Sequence, residues 1–333
     1  MGDLDPSRAL VGDRYRLERV IGAGGTATVF QARDEFLGRD VAVKIFRVSA
    51  SAEKDFRRQE EEVNVLAALS HPALVTLLDA ALDRSDPDNL RIYFVMEIVE
   101  GVDLRRRLKS GTLPTRQVAQ IGHDIADGLG YVHERDIVHR DIKPANILLS
   151  EATFDAARGR VRAKLTDFGI ALRGDSGELE EDGSVTGTVA YFSPEQARGL
   201  PLGPESDVYS LGLVLLECFT GELAFPGSAL ESSAARLACD PQIPAELPEF
   251  WRELLRAMTD RDPANRPYVH DIAIALGQAV AEISGRHKLV KAETLTLAAP
   301  EPEDAVSPQP VNFTSSFEPA PVANTGSLDA AAS

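Results

Sequence analysis

The sequence predicts an α+β fold in two lobes: a small strand-rich N-terminal lobe with one helix, and a larger helical C-terminal lobe. Three observations predict it. Short β-branched runs fill residues 15–48 and 74–99, and apolar residues at helical spacing dominate from Leu104 onward. Between the two strand groups lies one amphipathic stretch, Ser51 to Leu69. A cleft is expected where such lobes meet, and clefts of that kind are the default place for ligands.

The strand runs are YRLERVI, TATVF, DVAVKIF, ALVTLL and RIYFVMEIV, separated by turn residues. The helix of 51–69 carries Glu62, Leu66 and Leu69 on one face, so Glu62 points into the molecule. A helix over Thr115 to Glu134 follows from Val118, Ile121, Ile125, Leu129 and Val132 at three- and four-residue steps. Asp207 to Phe219, Glu249 to Met258 and Val269 to Val280 are the further helices. Composition shifts near Ile283 to Ala, Pro, Ser, Thr and Glu with few large apolar residues, which cannot offset the entropy of ordering. The expected organisation is therefore an extension over 1–14, a two-lobed domain over 15–284 (lobes 15–99 and 100–284) and a disordered acidic tail over 285–333.

Bulk properties narrow the function classes. Among 333 residues, 52 are acidic and 35 basic, for a formal net charge of -17. Nucleic acid and anionic membranes are poor partners for such a chain, which lacks the positive field that holds phosphate backbones. The two cysteines, Cys218 and Cys239, form no CxxC or Cys/His cluster, which argues against a zinc site or a disulfide scaffold. Cys218 sits in an apolar run and reads as a small buried hydrophobe. The N-terminus has no apolar signal region, and the longest apolar stretch, Leu211 to Leu216, is far below the roughly 18 to 20 residues that span a bilayer. A cytoplasmic protein without a membrane anchor in this chain is expected.

Four motifs carry chemistry. Gly22-Ala23-Gly24-Gly25 follows a strand, and glycines let backbone N–H groups approach phosphates closely; an ordinary hairpin turn accounts for this motif alone equally well. Another strand follows, which argues against a dinucleotide fingerprint, and the GK[ST] of a P-loop is missing. Lys44 lies in the apolar run Val41-Ala42-Val43 and needs a partner if buried, for which Glu62 is the best placed carboxylate; on an edge strand it is merely a surface lysine. The most specific motif is His139-Arg140-Asp141-Ile142-Lys143-Pro144-Ala145-Asn146. Its Asp can accept a hydroxyl proton, its Lys can neutralise a transferring phosphoryl group, and its Asn oxygen can ligate magnesium. Asp167-Phe168-Gly169, about 20 residues after Asn146, adds a carboxylate suited to a hard cation shared with phosphate oxygens.

Together these residues resemble the eukaryotic-like (Hanks-type) bacterial protein serine/threonine kinases over roughly Tyr15 to Ser284, and Gly187 to Gln196 is similar to the bacterial members. The resemblance implies a protein-kinase fold with an antiparallel-sheet N-lobe, and the transfer of the ATP γ-phosphoryl group to Ser/Thr hydroxyls of proteins. ATP and magnesium, with manganese as a substitute, are the implied cofactors. ATP binding falls to Ile21, Gly22, Gly24, Val29, Ala42, Lys44, Glu62, the gatekeeper Met96, and the hinge from Glu97 to Val99. Asp141 becomes the catalytic base, Lys143 the γ-phosphate contact, and Asn146 and Asp167 the metal ligands. Glu195 is expected to pair with Arg266, Asp207 to brace the catalytic loop, and Thr188 to contact Asp141 and Lys143. The chain departs from the family pattern at Ala27, in place of the third loop glycine, and at Ser150 to Arg162, expected as an extended hairpin loop.

Ile170 to Phe192 would be the activation loop, with Thr186 and Ser184 as candidate phosphosites and Arg140 placed to clamp a phosphate there. The acidic run Glu178 to Asp182 could instead mimic that charge. Protein substrates, and a homodimer for autophosphorylation in trans, are the expected partners. Two rivals, a pseudokinase scaffold and a small-molecule phosphotransferase, are disfavoured by the complete set Lys44, Glu62, Asp141, Asn146, Asp167 and by the apparent activation segment.

Overall fold

A computed structural model describes residues 10–24, 27–46, 65, 67–83, 91–155, 160–167 and 189–296; over 151–161 and 284–296 it describes the backbone alone. The N-terminal lobe is a six-stranded sheet in the order β1-β2-β3-β4-β6-β5, all neighbours antiparallel. Its strands are β1 (Leu10–Val11), β2 (Tyr15–Ala23), β3 (Ala27–Asp34), β4 (Arg39–Phe46), β5 (Leu77–Asp83) and β6 (Arg91–Glu97). Alternation along β4 sends Val41, Val43 and Ile45 into a core with Leu17, Phe30 and Val95. The opposite face holds Ala42 and Lys44. Register places Val29 across from Lys44 and Met96 across from Ala42, so these four residues share that face.

The C-terminal lobe contains β7 (Gly101–Asp103), α1 (Leu104–Leu108), α2 (Thr115–His133), β8 (Ile147–Asp155), β9 (Arg160–Leu165), α3 (Pro194–Ala197), α4 (Pro204–Thr220), α5 (Ala229–Ala238), α6 (Glu249–Met258) and α7 (Val269–Thr296). Strands β7, β8 and β9 form a second antiparallel sheet. The stripe Val118, Ile121, Ile125, Leu129 and Val132 on α2 is fully buried. α4 is apolar on nearly every side and lies at the centre of the core. It opens with Pro204 in its first turn and closes on Gly221, whose φ of 75° fits a left-handed cap. Gly212 lets α4 approach α6, since a Cβ there would meet Thr259 Cγ2 at 2.8 Å.

Several elements differ from the sequence reading. ALVTLL is not one strand: Leu74 bridges Leu165 of β9, with Val75 N–H donating to the Leu165 carbonyl (2.9 Å), and β5 begins only at Leu77. That bridge ties the lobes together, because Leu74 belongs to the helical core. The segment expected as a hairpin loop over Ser150 to Arg162 is largely the arms of β8 and β9. Helix α5 was not anticipated, although Ser228 and Glu231 form a capping box at its start. α7 continues to Thr296, past the compositional boundary at 285, while the first compact unit spans Met1–His287. Apart from Val65, Ala67, Ala68 and Leu69, the helix expected over 51–69 lies outside the described residues. Both cysteines are free thiols, Cys218 buried and Cys239 exposed. Among the described residues no helix is long and apolar enough to cross a membrane.

Candidate active site

The site is organised from behind by one carboxylate. Asp207, in the first turn of α4 and 1% exposed, accepts hydrogen bonds from the backbone N–H groups of His139 and Arg140, both at 2.8 Å. His133 Nε2 lies 2.8 Å from the same carboxylate. These bonds hold the loop where Arg140 has a φ of 67°, a left-handed conformation that costs a non-glycine residue about 1–2 kcal/mol. His139 is fully buried, and burial pushes its pKa down, so the imidazole is neutral. A neutral ring suits both contacts: Nε2–H donates to the Thr166 carbonyl (3.0 Å) and Nδ1 accepts from Asp141 N–H (3.3 Å).

Asp141 follows in the same loop. Its carboxylate lies 2.8 Å from Lys143 Nζ, and Asn146 Nδ2 donates to its Oδ2 (2.9 Å) and to its carbonyl (2.8 Å). The 3-10 turn Pro144–Asn146 then leads into β8. Pairing of Ile147 with Leu165, and Thr166 N–H on the Asn146 carbonyl (2.9 Å), bring Asp167 back beside Asn146. Lys44 reaches across from β4, its Nζ 2.8 Å from Asp167 Oδ1. Lys44 of β4 and Asp167 after β9 thus come together beside the loop that carries Asp141 and Asn146. Glu62, expected to pair with Lys44, lies outside the described residues, as do Ser184, Thr186 and Thr188.

The β2–β3 hairpin adjoins β4, with Val29 across from Lys44 and Ile21 41% exposed. Among the described residues, a Cβ on Gly22 would meet Val29 Cβ at 3.6 Å and Cγ2 at 3.7 Å, and one on Gly24 the Ala27 carbonyl at 3.7 Å; neither glycine has a left-handed φ. Among the described residues, a side chain at either position would therefore meet only ordinary van der Waals contacts. Val29, Ala42 and Met96 line the sheet face that also holds Lys44. In the hinge segment, the Glu97 side chain is used internally. Its Oε1 accepts from Thr76 N–H (2.9 Å), Thr76 Oγ1 (3.0 Å) and Lys164 Nζ (2.8 Å), while its N–H donates to the Thr76 carbonyl (3.0 Å). Burial would raise the pKa of this carboxyl, but the bonds from Lys164 and Thr76 outweigh it and hold the pKa below the ordinary value. Lys164 was missed by sequence reasoning; the available signal was a lysine on β9 between the buried Ala163 and Leu165.

On the other side of Asp141 runs the segment from Val189 to Ala197. Gln196 Nε2 donates to the Arg140 carbonyl (3.0 Å), which moors α3 beside the loop of Asp141. Ser193 caps α3. Glu195 makes a buried bidentate pair with Arg266 (2.7 and 2.9 Å) and accepts from Ser206 Oγ (2.6 Å). Burial pushes the Glu195 carboxyl up, but these hydrogen bonds prevail and hold it at about 2. A depressed carboxyl contributes stability above its ordinary value of 4.5, and that stability is lost as pH falls from there through about 2. Glu195→Gln leaves the buried Arg266 charge unpaired and is expected to cost about 3–5 kcal/mol at pH 7. Thermal unfolding along a pH series should show the parent losing stability more steeply in acid than the variant; equal acid slopes would contradict this account.

The chain belongs to the protein kinase domain family, which matches residues 15–274. It is 35% identical over 324 residues to the probable serine/threonine-protein kinase CPE1738 of Clostridium perfringens, covering 95% of this chain and 43% of that protein. It is 37% identical over 257 residues to the serine/threonine-protein kinase PknA of Mycobacterium tuberculosis, covering 76% of this chain and 58% of PknA. Against the serine/threonine-protein kinase PrkC of Bacillus subtilis it is 36% identical over 263 residues, covering 77% of this chain and 39% of PrkC. The chain thus spans between 39% and 58% of these relatives' lengths.

Proposed function

We propose that this protein is a serine/threonine-protein kinase that transfers the γ-phosphoryl group of ATP to hydroxyls of protein substrates in the cytoplasm, with residues 15–284 as its catalytic domain and 285–333 as an appended tail. The observation that carries the reading is the convergence of Lys44, Asp141, Lys143, Asn146 and Asp167 through contacts of 2.8–2.9 Å.

Asp141 accepts the proton of the incoming Ser or Thr hydroxyl as that oxygen bonds to the γ-phosphorus and the bond to ADP breaks. Lys143, beside Asp141, neutralises the charge on the transferring group. Lys44 holds the α- and β-phosphates, and the open Gly22 and Gly24 backbone covers them. Val29 and Ala42 enclose the base against the hinge, with Met96 behind it. Because Glu97 N–H is already spent on Thr76, base pairing falls to the Glu97 carbonyl and to the backbone of Val99. The donor set for a cation fits magnesium. Asp167 supplies a carboxylate, and the Asn146 amide nitrogen is spent on Asp141, which leaves the amide oxygen for a hard ion. Magnesium bound there supplies charge neutralisation between the phosphates.

Autophosphorylation at Thr186, performed by a second copy in trans, is the proposed route to an activated segment, with Arg140 receiving the phosphate. Incubation with ATP, magnesium and dephosphorylated casein, followed by peptide mapping, tests the whole reading. Phosphoserine and phosphothreonine on casein and modified Thr186 are the expected products. Phosphate confined to tyrosine, or none at all, would overturn the proposed specificity, and an unmodified Thr186 would remove the autophosphorylation step.

A further inference from the structure

Among the described residues, the largest fully buried side chain is Arg236, on α5. Its Nη1 donates to the Phe192 carbonyl, and its Nη2 to the carbonyls of Val189 (2.8 Å) and Ala190 (3.1 Å) and to Ser232 Oγ (2.6 Å). Its Nε donates to the Ser232 carbonyl (3.1 Å). Every one of these acceptors is neutral. Burying a charge is costly, and an apolar side chain of similar volume often gives a core equal or greater stability. Packing alone therefore does not explain a guanidinium here. What only its rigid fork of five donors provides is geometry, since it gathers carbonyls spread along a turn onto one plane.

The remaining carbonyl of that turn, Tyr191 O, accepts from Ser210 Oγ at 2.7 Å. All four carbonyls from Val189 to Phe192 are thus fixed by side chains of α4 and α5. Tyr191 is held a second time, its hydroxyl donating to Glu217 Oε2 at 2.6 Å. Four residues after the turn, Gln196 binds the Arg140 carbonyl, next to Asp141. The clamped turn is accordingly coupled to the residue proposed to accept the hydroxyl proton.

We infer that Arg236 is a positioning residue: it holds the 189–192 turn as the platform that sets an acceptor peptide against Asp141, and so governs the use of protein acceptors without affecting the use of ATP. The inference rests on the kinase reading above. Arg236 touches neither the reacting atoms nor the nucleotide face. Its loss misplaces the acceptor hydroxyl and leaves the phosphates where they are.

The test compares two rates in the full-length protein: phosphorylation of casein, and hydrolysis of ATP without an acceptor protein, where water takes the phosphoryl group. In Arg236→Met the ratio of casein phosphorylation kcat/KM to ATP hydrolysis should fall about tenfold, the scale expected of a sub-ångström misplacement. The KM for ATP should stay within about twofold of the parent. Arg236→Lys keeps the charge but offers a point donor in place of a fork, and should restore part of the ratio. A structural role would lower both rates together, so a constant ratio overturns the inference. If Arg236→Met does not fold, the same ratio is scored in Arg236→Lys and in Ser232→Ala, which removes the hydroxyl that orients Nη2; an unchanged ratio in both is equally decisive against it. A parent protein that phosphorylates nothing sinks the kinase reading and this inference with it, whereas an active parent with an unchanged variant ratio sinks the inference alone.

Discussion

Asp141→Asn is expected to lower kcat for casein phosphorylation by about 10³-fold, within the range that a positioned general base contributes. The amide has the volume of the carboxylate, and the bond from Asn146 Nδ2 to the residue-141 carbonyl does not involve the side chain, so the loop keeps its shape. What disappears is the proton acceptor and the negative partner of Lys143, now 2.8 Å away. Because Lys44 and the sheet face of Val29, Ala42 and Met96, proposed to hold the α- and β-phosphates and the base, do not depend on Asp141, the KM for ATP should change by no more than about threefold, which marks the loss as one of transition-state stabilisation. Steady-state kinetics with varied ATP provides both numbers. A variant with near-parental kcat would remove Asp141 from the proposed role, while a large rise in the KM for ATP would mean that the substitution disturbed the nucleotide site.

Asp167→Asn should be comparably severe, about 10³-fold in kcat/KM for ATP, for a different reason. Asp167 has a φ of 58°, and Asn is among the few residues that tolerate the left-handed region, so the backbone should survive the exchange. The side chain is a third exposed, and its loss removes charge without opening a core. Lys44 loses the anion 2.8 Å from its Nζ, and the proposed cation loses its only charged ligand among the residues assigned to it. The activity remaining should need a higher magnesium concentration for half-saturation, which a magnesium titration of the initial rate measures alongside a thermal unfolding control. Parental magnesium dependence would show that Asp167 is not the carboxylate that holds the ion.

Much of the fold was legible because its elements announce themselves locally. The alternation in DVAVKIF fixes a strand whatever surrounds it, and the stripe from Val118 to Val132 fixes α2. The ALVTLL run misled because a short apolar run does not say which strand it will pair with. Leu74 is captured by Leu165, some ninety residues away, a partnership decided by tertiary packing. α5 was overlooked because its apolar positions are mostly alanine, which leaves little periodic contrast. At the site, motif residues were found by their order along the chain, whereas Lys164 and Arg236 were not. Both act through backbone carbonyls or a single distant carboxylate, and such partners leave no pattern in the neighbouring sequence.

Everything proposed for this protein turns on phosphoryl transfer to hydroxyl side chains through Asp141. Its most direct test is the intact mass of phosphatase-treated protein before and after incubation with ATP and magnesium, beside Asp141→Asn under the same conditions. One or more added phosphates are expected on the parent and none on the variant. Equal phosphate on both would contradict this, as would a parent that binds ATP yet transfers phosphate neither to itself nor to casein.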